Sequence, residues 1–333
     1  MPSSSSTTSG EQPFVPARGL TNGHVMTIAA WARRRRYAAL PPALTRLVAV
    51  DAESQVRADC FWQPDRAGAP TLLGLHGLEG SSEAHYMRGL ADKAWTRGWN
   101  VVLLNQRNCG GTEHLTPGLY HSGLTADPVA VLRALHAEVP LTRLMIAGYS
   151  LGGNLALKLA GEAASTPDLP ITAVAAVSPT IDLSLCVDAI ELRRNRLYQW
   201  NFVRGLKARM RRKAITWPGR FDLSPLARIR TIRQFDDTYT APHHGFGTAA
   251  HYYQQASALR VIPQIAVPAL IIAAEDDPFV PTSQFGREPV RDNPQVRVSR
   301  QRHGGHCGFI GHHADGHDGY WAEAEVVRFF GAA

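Results

Sequence analysis

The chain has no Gly-x-x-x-x-Gly-Lys-Ser/Thr loop to cradle phosphate and no Gly-x-Gly-x-x-Gly after a strand-like run, which removes the simplest nucleotide-binding readings. It shows no internal repeat, so solenoids and propellers are excluded. Nothing in it approaches the roughly 20 consecutive apolar residues that a membrane-spanning helix requires. Cysteine is scarce: Cys60, Cys109, Cys186 and Cys307 lie far apart without a Cys-x-x-Cys pair. With no secretory leader ahead of them, reduced thiols in a cytoplasm are the expectation, and none of the four looks catalytic. Residues 1–16 run from Met1-Pro2 through a Ser/Thr tract to Pro13 and Pro16 with no apolar stretch, and read as a disordered tail rather than a signal peptide.

What is present is enough to bury a large core. The 333 residues are 44% hydrophobic and 19% charged, which suits one sizeable α/β domain with an insertion, or two small domains. The net charge of +7 permits attraction to acidic partners but says nothing of fold. Residues 17–46 form an N-terminal extension holding the run Arg33 to Arg36 and a Pro41-Pro42 break, ahead of a first strand-like stretch at Leu47 to Val50. Apolar runs at Thr71 to Leu75, Val101 to Leu104, Leu144 to Ala147 and Ile171 to Val177 then alternate with helical patterns at Glu83 to Thr96, Pro128 to Glu138 and Leu151 to Ala163. That alternation marks βαβ units and a mainly parallel, twisted sheet, because strands covered on both faces read as unbroken Val/Ile/Leu runs. Asp127, just before Pro128, is expected to cap the helix that follows.

The rhythm stops between residues 180 and 262, where the sequence is helical, Arg-rich and punctuated by Pro and Gly. It resumes with Ala269 to Ala274, Val296 to Ser299 and a last helix from Trp321 to Phe330. A structureless loop of that length is improbable, so 180–262 is expected to be a helical cap inserted after the sixth strand of a core formed by 47–179 and 263–333.

Gly148-Tyr149-Ser150-Leu151-Gly152 follows one apolar run and precedes a helical one. A sharp strand-to-helix turn tilts a serine hydroxyl out over the sheet, and small residues two before and two after it avoid collision with neighbouring backbone. The pentapeptide alone could be a glycine-lined turn with an incidental serine; the flanking strand and helix argue otherwise. A serine hydroxyl is a poor nucleophile at neutral pH, so it needs a base, and the base needs a carboxylate to orient it. On such a scaffold the chain order is serine, carboxylate, histidine. After Ala269 to Ala274 comes Glu275-Asp276-Asp277-Pro278, where Asp277 is the first choice and Asp276 and Glu275 are the alternatives; taken alone, each could be a turn residue or helix cap. After Val296 to Ser299 comes His303-Gly304-Gly305-His306, in which the paired glycines let the loop carry His306 back over the serine, with His303 second. A lone histidine is more often a solvated surface residue; its place as third member in the required order favours the base.

Acyl transfer also needs donors for an oxyanion. His76-Gly77-Leu78-Glu79-Gly80 follows the strand Thr71 to Leu75, so the backbone N–H of Leu78 is the expected first donor and that of Leu151, after the serine, the second. By itself the loop could be an ordinary glycine-rich βα connection. His306, Cys307, His312, His313 and His317 together suggest a metal cluster, but their spacing matches no tight zinc site, and neither metal nor cofactor is expected.

With these residues in hand, the chain resembles the YheT-like branch of the α/β-hydrolases, which includes bacterial esterases, plant embryogenesis-associated proteins, yeast medium-chain ethyl ester synthase/esterases and animal phospholipase-type relatives. The marks are Asn22-Gly23-His24, the His76 to Ser82 loop, Asn105 to Gly110, Gly148 to Asn154, Phe235-Asp236 with Thr240-Ala241-Pro242, Asp276 to Phe279, and Gly304 to Phe309. The resemblance implies an α/β-hydrolase fold, a triad of Ser150, Asp277 and His306, and hydrolysis of carboxylic esters with short to medium acyl chains, in some relatives with transfer to an alcohol. Lipase or phospholipase action is the rival within the same chemistry. Nine Arg and Lys residues between Arg193 and Lys213 stud the cap, interleaved with Leu197, Tyr198, Trp200 and Phe202. They read either as a solvated basic helix face or as a surface meeting anionic lipid. A non-catalytic binding module on a hydrolase scaffold is the remaining class, and no nucleic-acid motif accompanies the charge.

Overall fold

The computed structural model describes residues 13–312 and 318–333. Eight strands, β1 (Leu44–Ala49), β2 (Gln55–Phe61), β3 (Thr71–Leu75), β4 (Asn100–Asn105), β5 (Leu144–Tyr149), β6 (Ile171–Val177), β7 (Ala269–Ala274) and β8 (Val296–Gln301), form one sheet in the order β1-β2-β4-β3-β5-β6-β7-β8. β1 pairs antiparallel with β2, and β2 antiparallel with β4; every later pairing is parallel. β3, β4, β5 and β7 are buried along their whole length, which is why they appear as apolar runs.

β2 carries no such run. Gln55, Arg57 and Asp59 alternate with Val56, Ala58 and Cys60, and Asp59 is buried because Arg57 and the Ser82 hydroxyl bond to its carboxylate. With β2 counted, Ile171–Val177 is the sixth strand, and the cap follows it.

Along the chain come α1 (Gly23–Ala32), α2 (His85–Thr96), α3 (Ala126–Glu138) and α4 (Leu151–Gly161). The cap holds α5 (Leu183–Glu191), α6 (Arg196–Thr216), α7 (Ile232–Phe235), α8 (Ala241–His243) and α9 (Ala249–Ala256), and α10 (Glu288–Arg291) and α11 (Trp321–Ala332) complete the core. Alternation along the strands sorts side chains between two apolar layers. Leu72, Val101, Leu103 and Met145 meet α1, α2 and α11, while Leu73, Val102, Leu104 and Ile146 meet α3, α4 and the cap.

Three expectations are corrected. Residues 13–16 belong to the folded body and not to a tail: Phe14 is buried against the rings of Phe309 and Trp321, and Pro16 bridges Gly311. The rest of the expected tail, 1–12, lies outside the described residues. Asp127 is not an N-cap; it sits in the first turn of α3, whose boundary residue is Thr125, and takes two 2.6 Å bonds from the Arg107 guanidinium. The basic stretch of α6 is not wholly solvated, since Arg209 and Lys213 share its buried side with Val203, Leu206 and Met210.

Lys213 donates to Asn108 Oδ1 at 2.7 Å and to the Thr116 carbonyl at 2.6 Å, and burial pulls its ammonium down to about 7. Cap and core are joined further by Asn154, whose amide donates to the carbonyls of Ser122 and Ala256 and accepts the Ala258 N–H. Among the described residues no helix is long and apolar enough to cross a membrane.

Candidate active site

Ser150 stands between the end of β5 and the start of α4, with φ 54° and ψ −118°. A non-glycine residue reaches this strained region only when its surroundings impose it. Here its N–H donates to the Val177 carbonyl on the neighbouring strand at 2.9 Å. The turn is tight enough to demand glycine on both sides: a Cβ on Gly148 would stand 2.0 Å from the Gly152 carbonyl oxygen, and one on Gly152 would stand 2.2 Å from that of Leu75.

The loops after β7 and β8 bring Asp277 and His306 to this serine. His306 Nε2 lies 2.9 Å from Ser150 Oγ, and His306 Nδ1 lies 2.9 Å from Asp277 Oδ2. With the Nδ1–H donating to the carboxylate, Nε2 is left as the acceptor for the serine hydroxyl. The other oxygen of Asp277 accepts the N–H groups of Phe279 at 3.1 Å and Val280 at 3.0 Å, which locks the carboxylate in place. Burial disfavours charge on the imidazole, but the adjoining Cys307 and the Asp277 carboxylate outweigh it, and the basicity of His306 is raised above its ordinary value. The ring of Phe279 covers the imidazole at 4.1 Å between centroids.

The alternatives to Asp277 and His306 occupy neighbouring places. Asp276 and His303 bond to each other at 3.3 Å, and Asp276 Oδ1 also accepts the Gly305 N–H at 2.8 Å. Glu275 continues the edge of β7, its N–H donating to the Gln301 carbonyl.

Leu78 and Leu151 line the same cavity as Ser150. Leu151 is the first residue of α4, so its N–H has no carbonyl one turn back to receive it. The Leu78 loop is braced from below. Burial lowers His76 to about 4, and the neutral ring donates from Nδ1 to the Gly77 carbonyl and accepts the Gln106 N–H at Nε2. The Tyr86 hydroxyl accepts the Gly77 N–H at 3.1 Å. Glu79, at φ 59°, pairs with Arg209 of α6, whose guanidinium lies 4.8 Å from the centre of the Tyr120 ring. The cap is therefore tied directly to the residue after Leu78.

Between cap and sheet lies a cavity of about 110 Å³. Its walls are mostly apolar, with Leu119, Leu183, Val187, Phe202 and Leu206 among them, and Ser150 opens onto it. Asp236 and Thr240, from a π-helical turn between α7 and α8, also face this space. Burial raises the Asp236 carboxyl to about 6, and the Tyr253 hydroxyl donates to it at 2.7 Å. An apolar chamber beside a polarised serine can hold a hydrocarbon chain while the serine meets a carbonyl.

Two supporting residues have roles that the motifs do not announce. Thr27 of α1 accepts the His306 N–H at 2.8 Å and donates to the Gly23 carbonyl at 2.7 Å. Phe279 packs on the imidazole, although it follows Asp277 by only two residues. The sole signal for Thr27 is Asn22-Gly23-His24 ahead of it: Asn22 caps α1, and a Cβ on Gly23 would stand 1.8 Å from the Asp276 carbonyl oxygen.

Of the histidines considered for metal, His306 is held by Asp277 and Ser150, and His313 and His317 lie outside the described residues. Among the described residues no three His, Cys, Asp or Glu side chains converge as metal ligands.

A family model described as the α/β-hydrolase fold matches residues 70–313. The chain is 39% identical over 309 residues to YheT of Escherichia coli (strain K12), a protein named as a proposed esterase, covering 91% of this chain and 88% of that one. It is 30% identical over 247 residues to the Mus musculus protein named phospholipase ABHD3, covering 74% of this chain and 60% of that one. Among solved structures, a Pyrococcus furiosus esterase, Pf2001, superposes with a TM-score of 0.58 at 15% identity, covering 98% of this chain and 99% of that one, a likeness of fold alone.

Proposed function

The chain belongs to the α/β-hydrolase family, within its YheT-like branch, and from that premise we propose that it is a serine esterase cleaving carboxylic esters of short to medium acyl chains. The observation that carries this reading is the pair of 2.9 Å contacts by which His306 links Asp277 to Ser150, itself part of the wall of an apolar cavity.

In the proposed reaction Ser150 Oγ attacks the ester carbonyl as its proton passes to His306 Nε2. The carbonyl oxygen becomes an oxyanion held by the N–H groups of Leu78 and Leu151. The carbon–oxygen bond to the alcohol then breaks, and the alcohol leaves with the proton from His306. Water, deprotonated by the same imidazole, attacks the acyl-enzyme and releases the acid and the serine. Asp277 holds the Nδ1–H tautomer and stabilises the transient imidazolium. No cofactor takes part in this scheme.

Phospholipase or lipase action, supported by the name of the mouse relative, uses the same acyl-enzyme, as does transfer to an alcohol in place of water. A series of p-nitrophenyl esters of increasing chain length, run on the wild type and on Ser150→Ala, tests the assignment. The variant should lose about 10⁶ in kcat. Equal turnover by both proteins would sink it. The chain-length profile reports how much acyl chain the cavity accepts, and added alcohol separates transfer from hydrolysis.

A further inference from the structure

Two helices that border the candidate active site leave large apolar side chains in water. On α1 these are Val25, Ile28 and Trp31, the last 79% exposed; on α6 they are Leu197 at 73% and Trp200 at 60%. Helical spacing sets His24, Ile28 and Trp31 along one side of α1, and Leu197, Trp200 and Arg204 along one side of α6. The helices meet where the His24 ring stacks on Tyr198, centroids 5.7 Å apart at 15°, with a 3.2 Å contact between His24 Nδ1 and the tyrosine hydroxyl.

The charge carried by these two stretches of chain has one sign. Arg33, Arg34 and Arg36 are exposed just after α1, and Arg193, Arg194 and Arg196 are exposed at the start of α6. Neither residues 12–50 nor residues 192–221 include a single Asp or Glu. Arg204 lies over the Trp200 ring at 4.9 Å.

We propose that this face docks on an anionic lipid bilayer. Such a surface supplies both requirements together: an acyl boundary for tryptophan, leucine and isoleucine, and phosphate charge for the arginines. A second copy of the chain would set arginine against arginine, and a nucleic acid has no apolar phase for Ile28 and Leu197. The location gives the contact a purpose. Tyr198 packs 5.3 Å from Phe279, Phe279 packs 4.1 Å from His306, and Thr27 of α1 holds the His306 backbone. Docking by α1 and α6 brings the helix that holds His306 and the helix whose Phe202 and Leu206 wall the cavity against the phase in which sparingly soluble esters collect.

The test is flotation of the full chain with vesicles of phosphatidylcholine, and of phosphatidylcholine mixed with phosphatidylglycerol, at low and high salt. Wild type should float with the anionic vesicles only, and less at high salt. The double variant Trp31→Ala/Trp200→Ala should lose at least about tenfold in partitioning, and each of Arg33→Gln and Arg194→Gln about fivefold. Leu47→Ala, an exposed apolar residue on the edge strand β1, should bind as wild type. Absence of binding to anionic vesicles at low salt overturns the proposal, as does unchanged binding by the double variant. So does a wild-type dimer in sedimentation velocity that the double variant abolishes, which assigns the face to a second copy. Flotation does not depend on turnover, so Ser150→Ala should bind normally, and failure of the esterase assignment leaves this result standing.

Discussion

Two aspartate–histidine pairs stand side by side at the C-terminal edge of the sheet, and only one reaches a serine. Asp276 with His303 and Asp277 with His306 use the same residue types from the same two loops. Adjacent residues of a turn project to different sides. Asp277 points inward, is buried, and has its second oxygen fixed by two backbone N–H groups. Asp276 points toward the histidine loop, is partly exposed, and holds Gly305 by its N–H. The second pair therefore shapes the loop that carries His306, and the first acts on His306 itself. Residue type is shared; position decides the chemistry.

The sharpest way to break this contrast is Asp277→Asn. The amide presents the wrong partner to Nδ1–H, and kcat should fall by about 10⁴. Because Asp277 raises the basicity of His306, and the imidazole must be neutral to accept a proton, wild-type kcat/KM should fall as pH drops through a value above that of an ordinary imidazole. In Asp277→Asn that acidic limb should move to lower pH, and a pH–rate profile that does not move contradicts the assigned pair. Next in size is Thr27→Val, which keeps the shape of the side chain but removes the acceptor of the His306 N–H; a loss of up to about tenfold in kcat/KM is expected, with little change in melting temperature. Asp276→Asn retains an oxygen for Gly305, so a drop of no more than a few-fold should follow. The smallest effect belongs to His303→Ala, whose kcat/KM should stay within about twofold of wild type. If this last pair of variants costs as much as Asp277→Asn, the roles of the two pairs have been exchanged.

Much of the fold was legible because burial on both faces writes itself as unbroken apolar runs, as at Thr71–Leu75 and Ala269–Ala274. β2 was not, because its Arg57 and Asp59 pair with each other along the strand, and Asp59 is met as well by Thr45 across the hairpin and by Ser82 from the loop after β3, neither of which an alternating pattern reveals. The inner side of α6 was hidden for a related reason. Arg209 and Lys213 look like solvated charges until Glu79, Asn108 and the Thr116 carbonyl, about a hundred residues earlier, are brought against them. Arg209→Ala would leave Glu79 without its partner in a largely enclosed site, and a loss of a few kcal/mol in stability is expected from chemical denaturation.

By itself the sequence determined the strand–turn–helix around Ser150, since Gly148 and Gly152 meet a steric demand local to five residues, and it determined the order of serine, carboxylate and histidine. Only the tertiary structure decided which aspartate faces which histidine, that α1 supplies Thr27 to the histidine loop, and that the exposed sides of α1 and α6 form one surface. Those outcomes depend on contacts between segments separated by up to 279 positions. Short-range sterics are carried in the spacing of residues, whereas the direction in which a turn projects its side chains is set by whatever packs against it.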